Sequence, residues 1–245
     1  MEKIFYSLII IVLLFLIIVL IIKNNNKKNA PKEQNGNVFY LGTYTQKNSN
    51  GIYKYVLKDD GYIDSLGLVA KAENPSYLAK SFDKKYVLAV SEIQDGEVKS
   101  FKIKDDSLEF VSENSSGGAH PCFISINEEG YVLTANYSSG TVGLLKLDEK
   151  GMLSDLLDVQ QHHGKGITER QKSPHAHSAW FEKNGENIIS VDLGTDELLF
   201  SIIDHKRQKF VSSEQRSLKL VPGSGPRHIA FYPGGNWIYS VNELN

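Results

Sequence analysis

One cysteine, Cys122, stands among 245 residues. That scarcity excludes an intrachain disulfide and any cysteine-rich metal site, and Cys122 itself reads as a small apolar strand residue. Positive charge is also short. Lys and Arg number 27 against 29 Asp and Glu, and without the first 36 residues the balance is 22 against 27, a net of −5. A chain of that sign lacks the basic footprint of a nucleic-acid partner. "GKG" at Gly164–Gly166 lacks the upstream glycine and the following Ser/Thr of a phosphate-binding loop, so Lys165 reads as a solvated loop residue. No serine sits in a strand–helix elbow, which removes the usual hydrolase triad.

One long hydrophobic run is present. Ile4 to Ile22 ("IFYSLIIIVLLFLIIVLII") would span roughly 28 Å as a helix, about the thickness of a bilayer core. A cleaved signal peptide is the competing reading, but its apolar stretch is normally shorter and followed by a small-residue cleavage site, whereas "KNNNKKNAPKEQNG" follows here. Segment 1–22 is therefore predicted to be a transmembrane anchor and 23–36 a polar linker. Lys23, Lys27, Lys28 and Lys32 outweigh Lys3 and the amino terminus, so the positive-inside rule favours a body on the cytoplasmic side of the membrane.

From residue 37 onward the chain is strand-like and repeats. Segments starting at Val38, Tyr86, Tyr131, Asn187 and Trp237 share an apolar run and a polar step, and the first four continue through a turn into a second alternating run, the pattern of a β-hairpin. Four hairpins follow a short strand read as opening at a proline, where the missing N–H is tolerated. These prolines, Pro75, Pro121, Pro174 and Pro226, are 46, 53 and 52 residues apart. Units of that size, built from three or four antiparallel strands, indicate an all-β β-propeller over 37–245, with about four to five blades present. The first unit lacks its inner strand and the fifth stops in its second, so the chain reads as the front portion of a longer protein.

In a propeller, polar residues at one level of successive blades converge on the axis. Aligning the units puts His177 and His228 in one inner-strand slot, where earlier units have Tyr77 and Phe123. A hairpin slot holds Ser91, Asn136, Asp192 and Asn242, and the next holds Glu92, Tyr137, Leu193 and Glu243. Arg227 and His228 are adjacent, so a regular strand would aim them to opposite faces. Only at the strand mouth, after the flexible "GSG", would both reach one ligand. His175 and His177 have the i, i+2 spacing of two metal ligands, but no carboxylate or cysteine stands nearby in sequence, and only Asp192 or Glu243 would complete the set in space. His162 and His163 read as solvated residues of a polar connector. The site is thus read without metal or cofactor.

Seven ordered motifs now carry a resemblance: "LGTYT" at Leu41, "GGAHPCFISIN" at Gly117, "TANYSSGTV" at Thr134, "SPHAHS" at Ser173, "VDLGTDEL" at Val191, "GSGPRH" at Gly223 and "VNEL" at Val241. Together they resemble the bacterial seven-bladed propeller lactonase family, which includes propeller-type 6-phosphogluconolactonases and is similar to fungal carboxymuconate cyclases. The resemblance implies hydrolysis of a sugar lactone, chiefly 6-phosphogluconolactone, without an obligatory metal. It also implies a catalytic cluster that falls by motif on His177, Arg227 and Glu243. A further arginine expected from a later blade has no counterpart.

Lactone opening needs a base for water and a positive group for the carbonyl oxygen. His177 or Glu243 is expected as base, with Arg227 and His228 clamping the anion and Asn136 and Asp192 binding substrate. A carboxymuconate-type cycloisomerase and a non-catalytic or inactive truncated propeller stand as alternatives. Oligomeric state is left open.

Overall fold

The computed structural model describes residues 36–183 and 185–245. The anticipated anchor at 4–22 lies outside these, and among the described residues no helix is long and apolar enough to cross a membrane. Among the described residues the single helical element is a 3-10 turn at Glu169–Gln171.

Five antiparallel sheets follow one another along the chain. The first holds β1 (Asn37–Leu41), β2 (Gly51–Leu57) and β3 (Ile63–Lys71); the second β4 (Leu78–Lys80), β5 (Tyr86–Ser91), β6 (Glu97–Ile103) and β7 (Leu108–Ser115). The third holds β8 (Pro121–Ile126), β9 (Tyr131–Asn136), β10 (Thr141–Lys146) and β11 (Asp158–Gln161); the fourth β12 (Ala176–Phe181), β13 (Asn187–Asp192), β14 (Glu197–Asp204) and β15 (Lys209–Lys219). The last pairs β16 (Pro226–Phe231) with β17 (Ile238–Asn242). Each sheet is a meander, strand after strand in chain order. The opening strands β4, β8, β12 and β16 neighbour one another from sheet to sheet. This is a propeller-like fold, and the repeat period of the sequence is its blade period.

The core lies between blades. Along β5, Val87 and Ala89 pack with Ile52 and Val69 of the first sheet. The alternate residues Tyr86, Leu88 and Val90 pack the other way, on Ile124, Val132 and Leu145 of the third. Further on, Phe123, Leu133 and Leu144 meet Ala179 and Ile188, and Ile189 and Val191 meet Ile229. Side chains alternate across a strand, so a strand covered on both faces has no polar face and reads as a largely apolar run. "YVLAVS" and "NIISVD" are such runs. Equivalent side chains of the first and last sheets, Val38, Phe39 and Leu41, and Tyr239 and Val241, are exposed.

Two inner strands differ from the proline-led reading. Pro121 and Pro226 do open β8 and β16, but Pro75 precedes Leu78 by three residues and Pro174 precedes Ala176 by two. After Pro174 the N–H of His175 is donated to Asp192 Oδ1 at 2.9 Å instead of to a ladder partner, which delays pairing. Gly225, at φ +57°, turns the chain into β16 where an added Cβ would strike Leu244.

Gly143 marks a close approach in the middle of buried β10. A Cβ there would lie 2.1 Å from the carbonyl oxygen of Ser116 and 2.7 Å from Thr134 Oγ1, two atoms that hydrogen-bond each other at 2.6 Å. Neither can retreat without opening the contact between the second and third blades. Gly143→Ala is expected to cost about 1–3 kcal/mol of stability by overpacking, read as a lower denaturation midpoint with unchanged slope.

Candidate active site

A β-bulge at the mouth of the inner strand builds the site. In β16 the register jumps from Pro226↔Asn242 to His228↔Val241, leaving Arg227 as the extra residue. The same jump leaves His177 extra in β12 and Cys122 extra in β8. In the second blade the Val90 N–H bonds the Tyr77 carbonyl, which puts Ser76 in the corresponding place. A bulge bends the strand and re-aims a side chain. Ser76, Cys122, His177 and Arg227 all line one cavity of about 500 Å³, with Tyr77 and His228 beside them.

This register corrects the alignment read from sequence. His177 is equivalent to Arg227, not to His228; the counterparts of His228 are Tyr77, Phe123 and Ser178. It also explains how two adjacent residues, Arg227 and His228, reach the same cavity. Alternation fails at the bulge.

The cavity's rim comes from the residue after each blade's second strand. Glu92 N–H bonds the Asn74 carbonyl, Tyr137 the His120 carbonyl and Glu243 the Gly225 carbonyl. These repeated bonds hold Glu92, Tyr137 and Glu243 at one level, and all three line the cavity. Leu193 N–H makes the matching bond to the His175 carbonyl, but its side chain is buried.

His177, Arg227 and Glu243 come together. Arg227 Nε donates to Glu243 Oε2 at 3.0 Å, and His177 Nε2 lies 3.9 Å from the same oxygen. The polar connector adds Arg170, whose Nη2 meets Glu243 Oε1 at 2.6 Å and donates to Tyr137 Oη at 3.1 Å. Burial alone would raise the Glu243 carboxyl; the hydrogen bond and charge of Arg170, with His177 and Arg227, outweigh it and hold the group below the usual carboxylate range. Burial and then the Arg227 charge lower the His177 imidazole to about 4. It is a neutral ring at neutral pH.

His228 is also lowered, by burial and Arg227. Its ring packs edge-on against Tyr77, Phe123, Trp180 and His177, and its buried Nε2 has no hydrogen-bond partner among the described residues. It offers a neutral imidazole rather than a positive charge. The Cys122 thiol is pushed up to about 12 by burial and the Glu92 carboxylate, so it lines the floor as a neutral group.

Asn136 and Asp192 do not reach the cavity. Both are fully buried. The Asn136 amide donates to the Ser116 carbonyl at 3.0 Å and to Thr141 Oγ1 at 3.1 Å, joining two blades. Asp192 accepts the N–H groups of His175, Gly194 and Thr195, and its Oδ2 lies 2.7 Å from His162 Nδ1. His162, read as solvated, is in fact buried against that carboxylate, whereas its neighbour His163 is exposed. The connector folds inward there because an aspartate at the end of β13 gathers its donors. The spacing of His175 and His177 does not make a shared face either. His175 stacks on Tyr137 at 4.4 Å and bonds that residue's carbonyl, while His177 is the bulged residue.

The family profile described as "Lactonase, 7-bladed beta-propeller" matches residues 38–245. The chain belongs to that family. The chain is 35% identical over 211 residues to the 6-phosphogluconolactonase of Bacillus subtilis, covering 84% of this chain and 59% of the relative. It is similar also to the Pseudomonas aeruginosa periplasmic gluconolactonase, at TM-score 0.80 and 28% identity, covering 85% of this chain and 61% of that one. A Bacteroides fragilis structure, at TM-score 0.80 and 31% identity, covers 88% and 63% respectively. The chain thus spans about three fifths of the length of these relatives.

The motifs carried His177, Arg227 and Glu243. Reasoning from sequence missed Tyr44, Ser76, Cys122 and Arg170 as cavity residues. Ser76 and Cys122 were recoverable from the prolines: they follow Pro75 and Pro121 as Arg227 follows Pro226. Arg170 has no such signal, since it comes from a connector outside the repeat.

Proposed function

We propose that this cavity hydrolyses a sugar lactone, with 6-phosphogluconolactone the first substrate to test. The relatives named 6-phosphogluconolactonase and gluconolactonase support the substrate class, and the clustering of His177, Arg227 and Glu243 on one cavity wall carries the chemistry. His177 Nε2 stands 3.9 Å from Glu243 Oε2, beyond hydrogen-bond length, so its lone pair is not engaged by that carboxylate and is open to a water on the cavity side. A neutral imidazole there accepts a proton as the water oxygen attacks the lactone carbonyl. Glu243 is a poorer base because both its oxygens already face guanidinium groups; it stabilises the imidazolium that forms. Arg227 offers its planar fork to the developing oxyanion. When the ring C–O bond breaks, His177 returns the proton to the departing alkoxide, giving the open hydroxy acid.

The sign of the pH dependence follows. His177 works as the neutral base, so kcat/KM falls as pH drops through about 4 and is level from there into the neutral range. Continuous titration of acid release from the lactone checks this. A low-pH limb near the ordinary histidine value would contradict a buried His177 as base. His177→Gln is expected to lower kcat by about 10²–10⁴-fold; if most of the rate survives, a carboxylate is the base instead. Absence of lactone turnover by the full chain defeats the proposal as a whole.

A further inference from the structure

Glu92 and Glu243 occupy the same place in two blades, one residue beyond the second strand, and both line the cavity. Their surroundings are opposite. Glu243 lies between Arg170 and Arg227. Glu92 has no ion-pair partner among the described residues; its Oε2 accepts a hydrogen bond from Tyr44 Oη at 2.8 Å. Burial and that carboxylate push the Tyr44 phenol up to about 12, so it stays a donor throughout the working pH range. Ser76 lines the same wall, its buried Oγ within reach of the Tyr44 phenol.

The cavity is therefore polarised. One wall, from the connector and the fifth blade, carries two guanidinium groups for a single carboxylate. The other, from the first and second blades, carries an uncompensated carboxylate, a phenol and a serine hydroxyl. A second anionic group on a ligand would be repelled from that wall. Alcohol O–H groups suit it, since a carboxylate accepts and the two hydroxyls can donate or accept.

We infer that Glu92, with Tyr44 and Ser76, is a hydroxyl-reading subsite that selects polyhydroxylated ligands and rejects dicarboxylates. This rests on the lactonase reading of the same cavity and adds a specificity wall to it. Glu92 is a binding group here and takes no part in the proton transfers.

Calorimetric titration of the full chain with 6-phosphogluconate and with 6-phosphohexanoate, the same chain length without the ring-derived hydroxyls, tests it. The wild type should prefer the hydroxylated acid. Glu92→Gln should weaken 6-phosphogluconate about tenfold while 6-phosphohexanoate binds as well or better, because a repelling charge has gone. Tyr44→Phe, at a residue exposed on the rim, should lower the same preference by a smaller factor. Opposite movements of the two ligands are a result that general loosening of the site would not produce. An unchanged preference in Glu92→Gln, equal binding of both ligands by the wild type, or binding of neither overturns the inference. Loss of the preference without any lactone turnover would sink the hydrolase reading and leave the subsite standing.

Discussion

Arg227→Ala should lower kcat/KM for the lactone by about 10²–10³-fold, the usual effect of deleting one oxyanion donor. Stability should change by no more than about 0.5 kcal/mol. The side chain is half exposed and its ion pair with Glu243 is screened by solvent, while Glu243 keeps Arg170. The strand is held by backbone groups that the substitution leaves alone, including the Arg227 carbonyl that accepts Ser178 Oγ at 2.9 Å. A second consequence has a definite sign. The Arg227 charge is one of the causes that depress His177, so its removal raises the imidazole toward its ordinary value. The acid limb of the residual activity should therefore move to higher pH. Arg227→Lys keeps the charge without the planar fork and should recover the position of that limb more fully than the rate. Steady-state kinetics over pH for the three proteins reads both effects. An Arg227→Ala protein with wild-type kcat/KM would remove this residue from the chemistry.

The propeller was legible because every blade repeats the same physical problem. A sheet packed on both faces is largely apolar along its second strand, and the proline and turn residues between strands recur with the blade. "YVLAVS", "YVLTAN" and "NIISVD" show this directly. His177, Arg227 and Glu243 were legible as candidates through their motifs, and the structure brings the three to one cavity. What stayed hidden is the bulge. Its one-residue shift changes which neighbour faces the cavity, and periodicity counted in whole residues assigned His177 to the slot of His228. The same counting gave Asn136 and Asp192 to the cavity because they are polar and recur. They sit one residue earlier than the rim residues, and that step turns them into the protein. Burial requires a polar group to be satisfied, and both meet partners from the preceding inter-blade segment and from their own hairpin: Ser116 and Thr141 for Asn136, His162, His175, Gly194 and Thr195 for Asp192. Arg170 reaches Glu243 from an irregular connector, for which no repeat supplies a register.

Asp192→Ala is the substitution expected to cost most in stability, about 3–5 kcal/mol. The carboxylate is fully buried and its two oxygens serve four donors: the N–H groups of His175, Gly194 and Thr195 at 2.9, 2.9 and 3.0 Å, and the His162 ring at 2.7 Å. Truncation leaves all four without a partner in a place that water reaches poorly. His162 Nε2 is already buried and without a partner among the described residues, so that ring would keep no hydrogen bond to them. Asp192→Asn retains an acceptor oxygen for the three backbone groups and should lose clearly less. Chemical denaturation of the three proteins measures the series, with the midpoint falling in the order wild type, Asn, Ala. The damage should also extend to catalysis by a specific route. Asp192 anchors the His175 N–H, two residues before His177, so releasing it lets the bulge shift and kcat should fall in the alanine variant, and much less in the asparagine one, which keeps that bond. A ligand-binding aspartate would behave otherwise, raising KM while the denaturation midpoint stayed where it was. That pattern would mean that the carboxylate faces the cavity and that its burial at the end of β13 is wrong.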